Sequence, residues 1–399
     1  MIKLFLIYKL MYFWILKVYI LNRKIGIIGG GQLGKMILDE TNKMGIYVSI
    51  LDPSSESPCR NLSKNFIQGD FKDYHTVLNF GLKHDIISYE IEHINVDALD
   101  ELVRKGIEVQ PAPELLRIIQ DKYKQKSFFK KNNFPTSDFY YFRSKNELLD
   151  SFKKNGINFP CVWKKTKFGY DGFGVKILKN EKDLIELPNS EMIIEDLVVF
   201  KKELAVIVAM NKNRDIKTYE TVEMEFNPDS NQVEFVISPA NINEKVNTIA
   251  KKIASDLAKK INLVGLLAVE MFLTPDEKIL INEIAPRPHN SGHFSIDACS
   301  TSQFKQYINS ITNRELGETS HENCAIMINL VGEESHNGLV KYENIDLIKD
   351  QKSVFVHIYG KKMTRPNRKM GHVTVICDNF DEAYMKAKEI KDIIKVKSY

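Results

Sequence analysis

The chain has 399 residues, enough for two or three domains, and its 43% hydrophobic and 27% charged residues describe an ordinary globular protein. A net charge of only +4, from 56 basic and 52 acidic residues, gives no reason to expect a nucleic-acid partner. Five scattered cysteines without C-x-x-C spacing read as reduced thiols of a cytoplasmic protein and argue against a disulfide framework.

Residues 1–21, "MIKLFLIYKLMYFWILKVYIL", are almost wholly apolar or aromatic. Their length suits a membrane span of about 20 residues. Lys3, Lys9 and Lys17 are spread through them, however, and a lysine near the centre of a span costs about 2.5–3.5 kcal/mol. No small-residue cleavage site follows. The reading adopted is an upstream extension, residues 1–23, with translation starting at Met11 or nearer Lys24. An interfacial helix is the alternative, and a membrane partner is not expected.

From Lys24 to about Ile119, apolar runs alternate with helical patterns. "KIGIIG", "YVSILD" and "DIISYE" read as parallel strands, and "QLGKMILDETNKMG", "DYHTVLNFGLK" and "NVDALDELVRKG" as helices. The first turn holds a G-x-G-x-x-G at Gly29, Gly31 and Gly34, and Asp52 ends the next apolar run. That layout cradles a phosphate at a helix N-terminus and suits a dinucleotide site. The expectation is a Rossmann-like domain over residues 24–119. Prolines then mark a boundary. Residues 120–312 mix strands and helices in an α+β pattern, and residues 313–399 carry strand-like runs, "CAIMINLVG", "SVFVHIYG" and "HVTVIC", before a final amphipathic helix.

The later regions supply phosphate and metal chemistry. In "VWKKTKFGYDGFGVKIL" a strand ending in Lys164 runs into a loop with Gly169, Gly172 and Gly174, which suits backbone contact with phosphate oxygens. Glu270 and Glu283 each follow an apolar run, with "PDEK" forming a turn between them. Antiparallel strands across that turn bring both carboxylates to one face, as hard oxygen ligands for Mg2+ with the Asn282 amide beside them. Directly after them, "APRPHNSGH" packs Arg287, His289, Asn290 and His293 into a stiffened segment suited to a small oxyanion. "HIYGKKMTRPNRKMGH" adds a basic loop with Lys361, Lys362, Arg365, Arg368 and Lys369.

The segments "GGGQLGKM", "YEIEH", "QDKYKQK", "GYDGFG", "INEIAPRPHNSGH" and "YGKKMTRPNRKMGH" stand in the order and approximate spacing of the N5-carboxyaminoimidazole ribonucleotide synthetases. The chain resembles this family from Lys24 to about Asp392, most specifically in "EIAPRPHNSGH". The resemblance implies a Rossmann-like N-terminal domain, a central ATP-grasp domain, a small β-rich C-terminal domain and a homodimer. It implies a ligase of de novo purine biosynthesis that uses ATP, Mg2+ and bicarbonate to carboxylate 5-aminoimidazole ribonucleotide through carboxyphosphate.

Residue by residue, Lys122 and Lys164 match phosphate-binding lysines. Gly169, Tyr170, Asp171, Gly172, Phe173, Gly174 and Val175 match a mobile nucleotide loop. Glu195, Asp196, Leu197 and Val198 match the hinge that reads adenine, and Glu203 the acid that holds the ribose. Glu270 and Glu283 match magnesium ligands, and Asn282 belongs to the nucleotide site. Tyr170, Asp171, His289 and Asn290, together with Arg287, match the place where bicarbonate and aminoimidazole meet. Gln32, Leu33, Glu90, Lys361 and Arg368 match contacts to the ribonucleotide. Phe173 stands where the family has arginine, and Phe226 where it often has a histidine that contacts ATP. The alternatives are another ATP-grasp ligase or an NAD-dependent dehydrogenase; the latter leaves "GYDGFG" and the Glu270/Glu283 pair unexplained.

Overall fold

The structure is a computed structural model and describes residues 23–153, 157–167 and 174–399. The N-terminal extension up to residue 22 lies outside them, as do the assignments made to Gly169, Tyr170, Asp171, Gly172 and Phe173.

Ile25–Ile28, Val48–Asp52, Asn65–Gln68, Ile86–Tyr89 and Glu108–Val109 form a parallel sheet in the spatial order third, second, first, fourth, fifth. Asn65–Gln68 is a largely exposed edge strand and Glu108–Val109 has two residues, so neither carries a clear apolar pattern. The helices Gln32–Lys43, Tyr74–Gly81 and Val96–Arg104 fall where the periodicity places them. Asp73 and Asn95 cap the latter two by accepting from Thr76 N–H and Ala98 N–H at 2.7 and 3.0 Å. Strand order reverses between Ile25–Ile28 and Ile86–Tyr89. Ligand crevices of doubly wound sheets form at the carboxyl ends of such strands, which here bring the glycine turn and Glu90 together.

Two larger antiparallel sheets follow, beside a short one of Met363–Thr364, Gly338–Glu343 and Lys395–Ser398 in that spatial order. The smaller pairs Phe139–Phe142, Met192–Asp196, Cys161–Lys165 and Val175–Leu178 in that spatial order. The larger begins with Ile279–Ala285, Gly265–Leu273, Lys202–Met210, Val222–Phe226 and Val233–Ser238. It then continues through Cys324–Val331, Lys369–Cys377 and Val354–Ile358. The strands read from "CAIMINLVG", "SVFVHIYG" and "HVTVIC" are therefore an extension of the central sheet, joined where Phe235–Ser238 pairs with Ala325–Ile328. The final helix, Phe380–Ile393, packs its Ala383, Ala387 and Ile390 into the core of this extension. Among the described residues no helix is long and apolar enough to cross a membrane.

Candidate active site

Gly265–Leu273 and Ile279–Ala285 are an antiparallel hairpin in which Glu270 and Glu283 are direct partners, with a bulge immediately after Glu270. Both line a cavity of about 460 Å³ between the two antiparallel sheets. Lys122 Nζ lies 2.7 Å from the Glu283 carboxylate. This charge holds the Glu283 carboxyl well below the usual carboxylate range. His289 Nε2 is 3.1 Å from Glu270 Oε1. Burial, reinforced by the Glu270 charge, pushes the Glu203 carboxyl up to about 7. Glu203, Glu270 and Glu283 thus line one cavity. Two of them project from facing strands, a hard-oxygen donor set that fits Mg2+.

Lys164 Nζ donates to Asn282 Oδ1 at 3.0 Å and pairs with Glu195 Oε1 at 3.0 Å. Glu195 also meets Lys126 at 3.0 Å and accepts from Ser137 Oγ at 2.8 Å. Against the cost of burial, Lys164 and Lys126 hold the Glu195 carboxyl at about 2. Its side chain is therefore a buried anchor for the lysines, and the strand end Asp196–Val198 continues along the cavity wall. Val162, Val175, Ile177, Phe200, Phe226 and Phe272 make the rest of that wall apolar. Phe200 and Phe272 stack at 4.7 Å. Gly174 takes φ +82° and its carbonyl accepts from Lys165 N–H at 2.9 Å.

The segment after the hairpin is held from behind. Gln303 accepts from His289 N–H at 2.9 Å and donates to His289 O at 2.7 Å. His289 Nδ1 meets Ser291 Oγ at 2.9 Å. Arg287 pairs with Glu92 at 2.8 Å, which ties the segment to the N-terminal domain. Asn290 and Asn329 exchange amide hydrogen bonds at 2.8 and 2.9 Å. Arg287, His289 and Asn290 all line the cavity. His293 does not: it is fully buried behind the segment, at 2.9 Å from Gln303 Nε2, so the expected oxyanion cluster loses this member.

The glycine turn departs from the dinucleotide layout that its spacing suggests. Gly29 has φ +103°, and a Cβ there lies 2.7–2.9 Å from the Glu90 side chain, so only glycine fits. Gly30 N–H donates to Asp52 Oδ2 and Gly31 N–H to Glu90 Oε1, both at 2.8 Å. The first amides of the cradle are thus taken by protein carboxylates. Asp52 also accepts from Ser54 N–H at 2.8 Å and is a turn cap, not a ribose ligand waiting for its partner. Burial pushes Glu90 up to about 7. Helix Gln32–Lys43 starts without a side-chain cap. Leu33 is buried, so it offers its backbone alone. Lys361 Nζ reaches this end, donating to Gln32 Oε1 at 2.7 Å and Lys369 O at 2.6 Å. Arg368 donates to Met363 O at 2.6 Å near Arg365 and Glu56.

Sequence reasoning passed over Lys126 and Glu92 as individual residues, although "QDKYKQK" and "YEIEH" contain them. It gave no signal for Asn329 or Gln303, whose partners come from distant strands and helices.

This fold and this cleft, with paired acids and lysines between two antiparallel sheets, define an ATP-grasp ligase. Residues 22–120 match the ribonucleotide synthetase preATP-grasp domain, 127–304 the ATP-grasp domain, and 325–386 the phosphoribosylaminoimidazole carboxylase C-terminal domain. The N5-carboxyaminoimidazole ribonucleotide synthase of Bacillus subtilis is 38% identical over 363 residues, 90% of this chain and 92% of that one. The chloroplastic phosphoribosylaminoimidazole carboxylase of Vigna aconitifolia is 35% identical, and the match spans only 64% of that longer protein. The crystal structure of the Thermotoga maritima synthetase superposes with a TM-score of 0.87 at 42% identity, covering 94% of this chain and all of that one. The Aspergillus clavatus synthase, in complex with ADP and 5-aminoimidazole ribonucleotide, superposes with a TM-score of 0.84 at 28% identity, covering 94% and 99%. The chain belongs to the N5-carboxyaminoimidazole ribonucleotide synthetase family, ATP-grasp ligases of purine biosynthesis.

Proposed function

We propose that this chain carboxylates 5-aminoimidazole ribonucleotide with ATP and bicarbonate. The observation that carries the reading is the facing pair Glu270 and Glu283, set against Lys122 and Lys164 and followed by Arg287, His289 and Asn290 in one cavity. Glu270 and Glu283 would hold Mg2+, which would supply charge neutralisation on the phosphates. Lys122 and Lys164 hold the phosphates, with Asn282 orienting Lys164. Glu203 and the strand end Glu195–Val198 position the nucleoside, and Gly174 and Val175 border it; the parts of Tyr170, Asp171 and Phe173 in the reaction rest on the family resemblance.

A bicarbonate oxygen attacks the γ-phosphorus, and the bond to the departing ADP oxygen breaks. The resulting carboxyphosphate splits into CO2 and phosphate. The exocyclic amine adds to the CO2 carbon, and its proton leaves to phosphate. Arg287, His289 and Asn290 hold the small oxyanion next to the amine, where proximity and exclusion of water decide between carboxylation and hydrolysis. Gln32, the Leu33 N–H, Glu90, Lys361 and Arg368 bind the ribonucleotide.

The domain division 24–119, 120–312 and 313–399, with a family-type homodimer, completes the reading. A cytoplasmic location belongs to the same reading, on the scattered cysteines of the sequence. The test is ADP release by the pure protein with ATP and labelled bicarbonate. Release should require 5-aminoimidazole ribonucleotide and fix label in an acid-labile carbamate. Equal ADP release with formate, or none with the ribonucleotide, would sink the proposal.

A further inference from the structure

We propose that Asp297, His357 and His372 form a second metal site, separate from Glu270 and Glu283, that takes a zinc-class divalent ion and ties the C-terminal strands to the segment behind His289. His357 and His372 are direct partners on the antiparallel strands Val354–Ile358 and Lys369–Cys377. Their ring centroids are 4.5 Å apart. Asp297, in the short helix Ser295–Ala298, faces them: its carboxylate oxygens lie 2.9 and 3.1 Å from His357 Nε2. One ligand atom from each of the three residues lies within 4.8 Å of the other two.

A further observation points to an ion. His372 is fully buried, and its Nδ1 meets Tyr359 Oη at 3.0 Å. Its Nε2, equally buried, has no hydrogen-bond partner. Buried ring nitrogens are ordinarily paired, and an unpaired one is a strained choice. When Nδ1–H donates to the tyrosine oxygen, the Nε2 lone pair is left bare. This is the arrangement of a metal-binding histidine, whose second nitrogen is held by an outer hydrogen bond.

His293 makes the complementary statement. Gln303 accepts from His289 N–H, so its amide NH2 faces His293 Nδ1 at 2.9 Å. That leaves His293 Nε2 protonated, buried and also partnerless, with its ring centroid 5.0 Å from that of His372. A protonated nitrogen is not a ligand, but a metal-bound water supplies the acceptor it lacks.

Two imidazoles and one carboxylate are a borderline donor set that prefers Zn2+ to Mg2+. Tetrahedral Zn2+ with bonds of about 2.0–2.1 Å holds its ligands roughly 3.3 Å apart. The Asp297–His357 separation is already close to that. His357, with a side chain 29% exposed, opens the site to solvent and is the ligand freest to turn.

The test uses the full chain, stripped with a chelator, then dialysed against Zn2+ in the presence of excess Mg2+. We expect about one retained Zn2+ per chain, a raised unfolding midpoint, and a visible absorption band when Co2+ replaces zinc. Asp297→Asn and His357→Ala should each weaken Zn2+ retention at least tenfold, with native circular dichroism retained. Glu270→Gln should keep the retained ion and the Co2+ band, which separates this site from the catalytic carboxylates and leaves the result independent of the proposed activity. Both His357→Ala and Asp297→Asn alter partly accessible positions, so the test survives if His372→Gln fails to fold. No retained ion, or one that persists in both variants and disappears in Glu270→Gln, overturns the proposal, as does an adventitious ion only.

Discussion

Replacing Glu283 by glutamine removes a charge while keeping the shape of the cleft, and the structure sets the size of two separate effects. The Glu283 side chain is 43% exposed to the cleft and its carboxylate meets Lys122 at 2.7 Å. An ion pair this open contributes about 0–1 kcal/mol to folding. The unfolding midpoint should therefore move by no more than roughly 2–4 °C, the shift expected for about 1 kcal/mol in a large domain. Catalysis stands differently. As a proposed magnesium ligand facing Glu270 in register, Glu283 acts where charge moves during phosphoryl transfer. Losing one such preorganised contact removes about 2.7–4 kcal/mol, a fall in kcat of roughly 10²–10³. The assay is steady-state ADP release with ATP and Mg2+ each varied, beside a thermal unfolding curve. Turnover within about tenfold of the parent, with the fold intact, would refute Glu283 as a metal ligand.

Other outcomes follow from the same geometry. Arg368→Ala and Lys361→Ala should raise KM for the ribonucleotide about ten- to hundredfold, the worth of one charge-assisted hydrogen bond, and leave KM for ATP nearly unchanged. A rise in KM for ATP alone would move the basic loop into the nucleotide site. Glu203 carries a carboxyl raised to about 7, above its unfolded value, so the native state favours its protonated form. Its contribution to stability is present below pH 4.5 and is lost as pH climbs through 7; Glu203→Gln should flatten that part of the stability profile, and unchanged pH dependence would remove the assigned shift. A chain beginning at Arg23 should fold and retain activity, because the first strand opens at Ile25 and Arg23 already pairs with Glu108 at 2.5 Å. A loss of more than about 1–2 kcal/mol on this truncation would show that the extension packs on the domain.

The parts of the site legible in the sequence are those in which one short segment carries the chemistry. Glu270 and Glu283 are separated by a turn signal, "PDEK", so hairpin geometry alone predicts their juxtaposition, and the register bears it out. The strands of the Rossmann-like domain were legible for a similar reason: buried on both faces, they read as unbroken apolar runs. What stayed hidden depends on pairing across long stretches of chain. Asn329 reaches Asn290 because Cys324–Val331 pairs with a strand nearly a hundred residues earlier, Val233–Ser238. The same pairing carries three C-terminal strands onto the central sheet, so the region after residue 312 keeps only the short sheet of Met363–Thr364, Gly338–Glu343 and Lys395–Ser398 to itself.

Histidine 293 and the glycine turn show why a motif's members need not share its task. In "HNSGH" both histidines are polar residues of one loop, yet the 3-10 turn Asn290–Gly292 sends them to opposite sides. His289 faces Glu270 across the cavity, while His293 enters the core beside Gln303 and His372. In the glycine turn the fingerprint specifies a backbone shape, and that shape offers amides to whatever anion is nearest. Here Asp52 and Glu90 claim the Gly30 and Gly31 amides. In the proposed reading the anion site lies at the start of helix Gln32–Lys43, which has no side-chain cap and is reached by Lys361, the cation assigned to it. An NAD enzyme needs the Asp52 carboxylate free for a ribose hydroxyl, and its two bonds to Gly30 and Ser54 instead make it part of the turn. On the proposed reading, the choice between dinucleotide and ribonucleotide phosphate rests less on the glycines than on Lys361, a residue more than three hundred positions away that reaches Gln32 at this helix start.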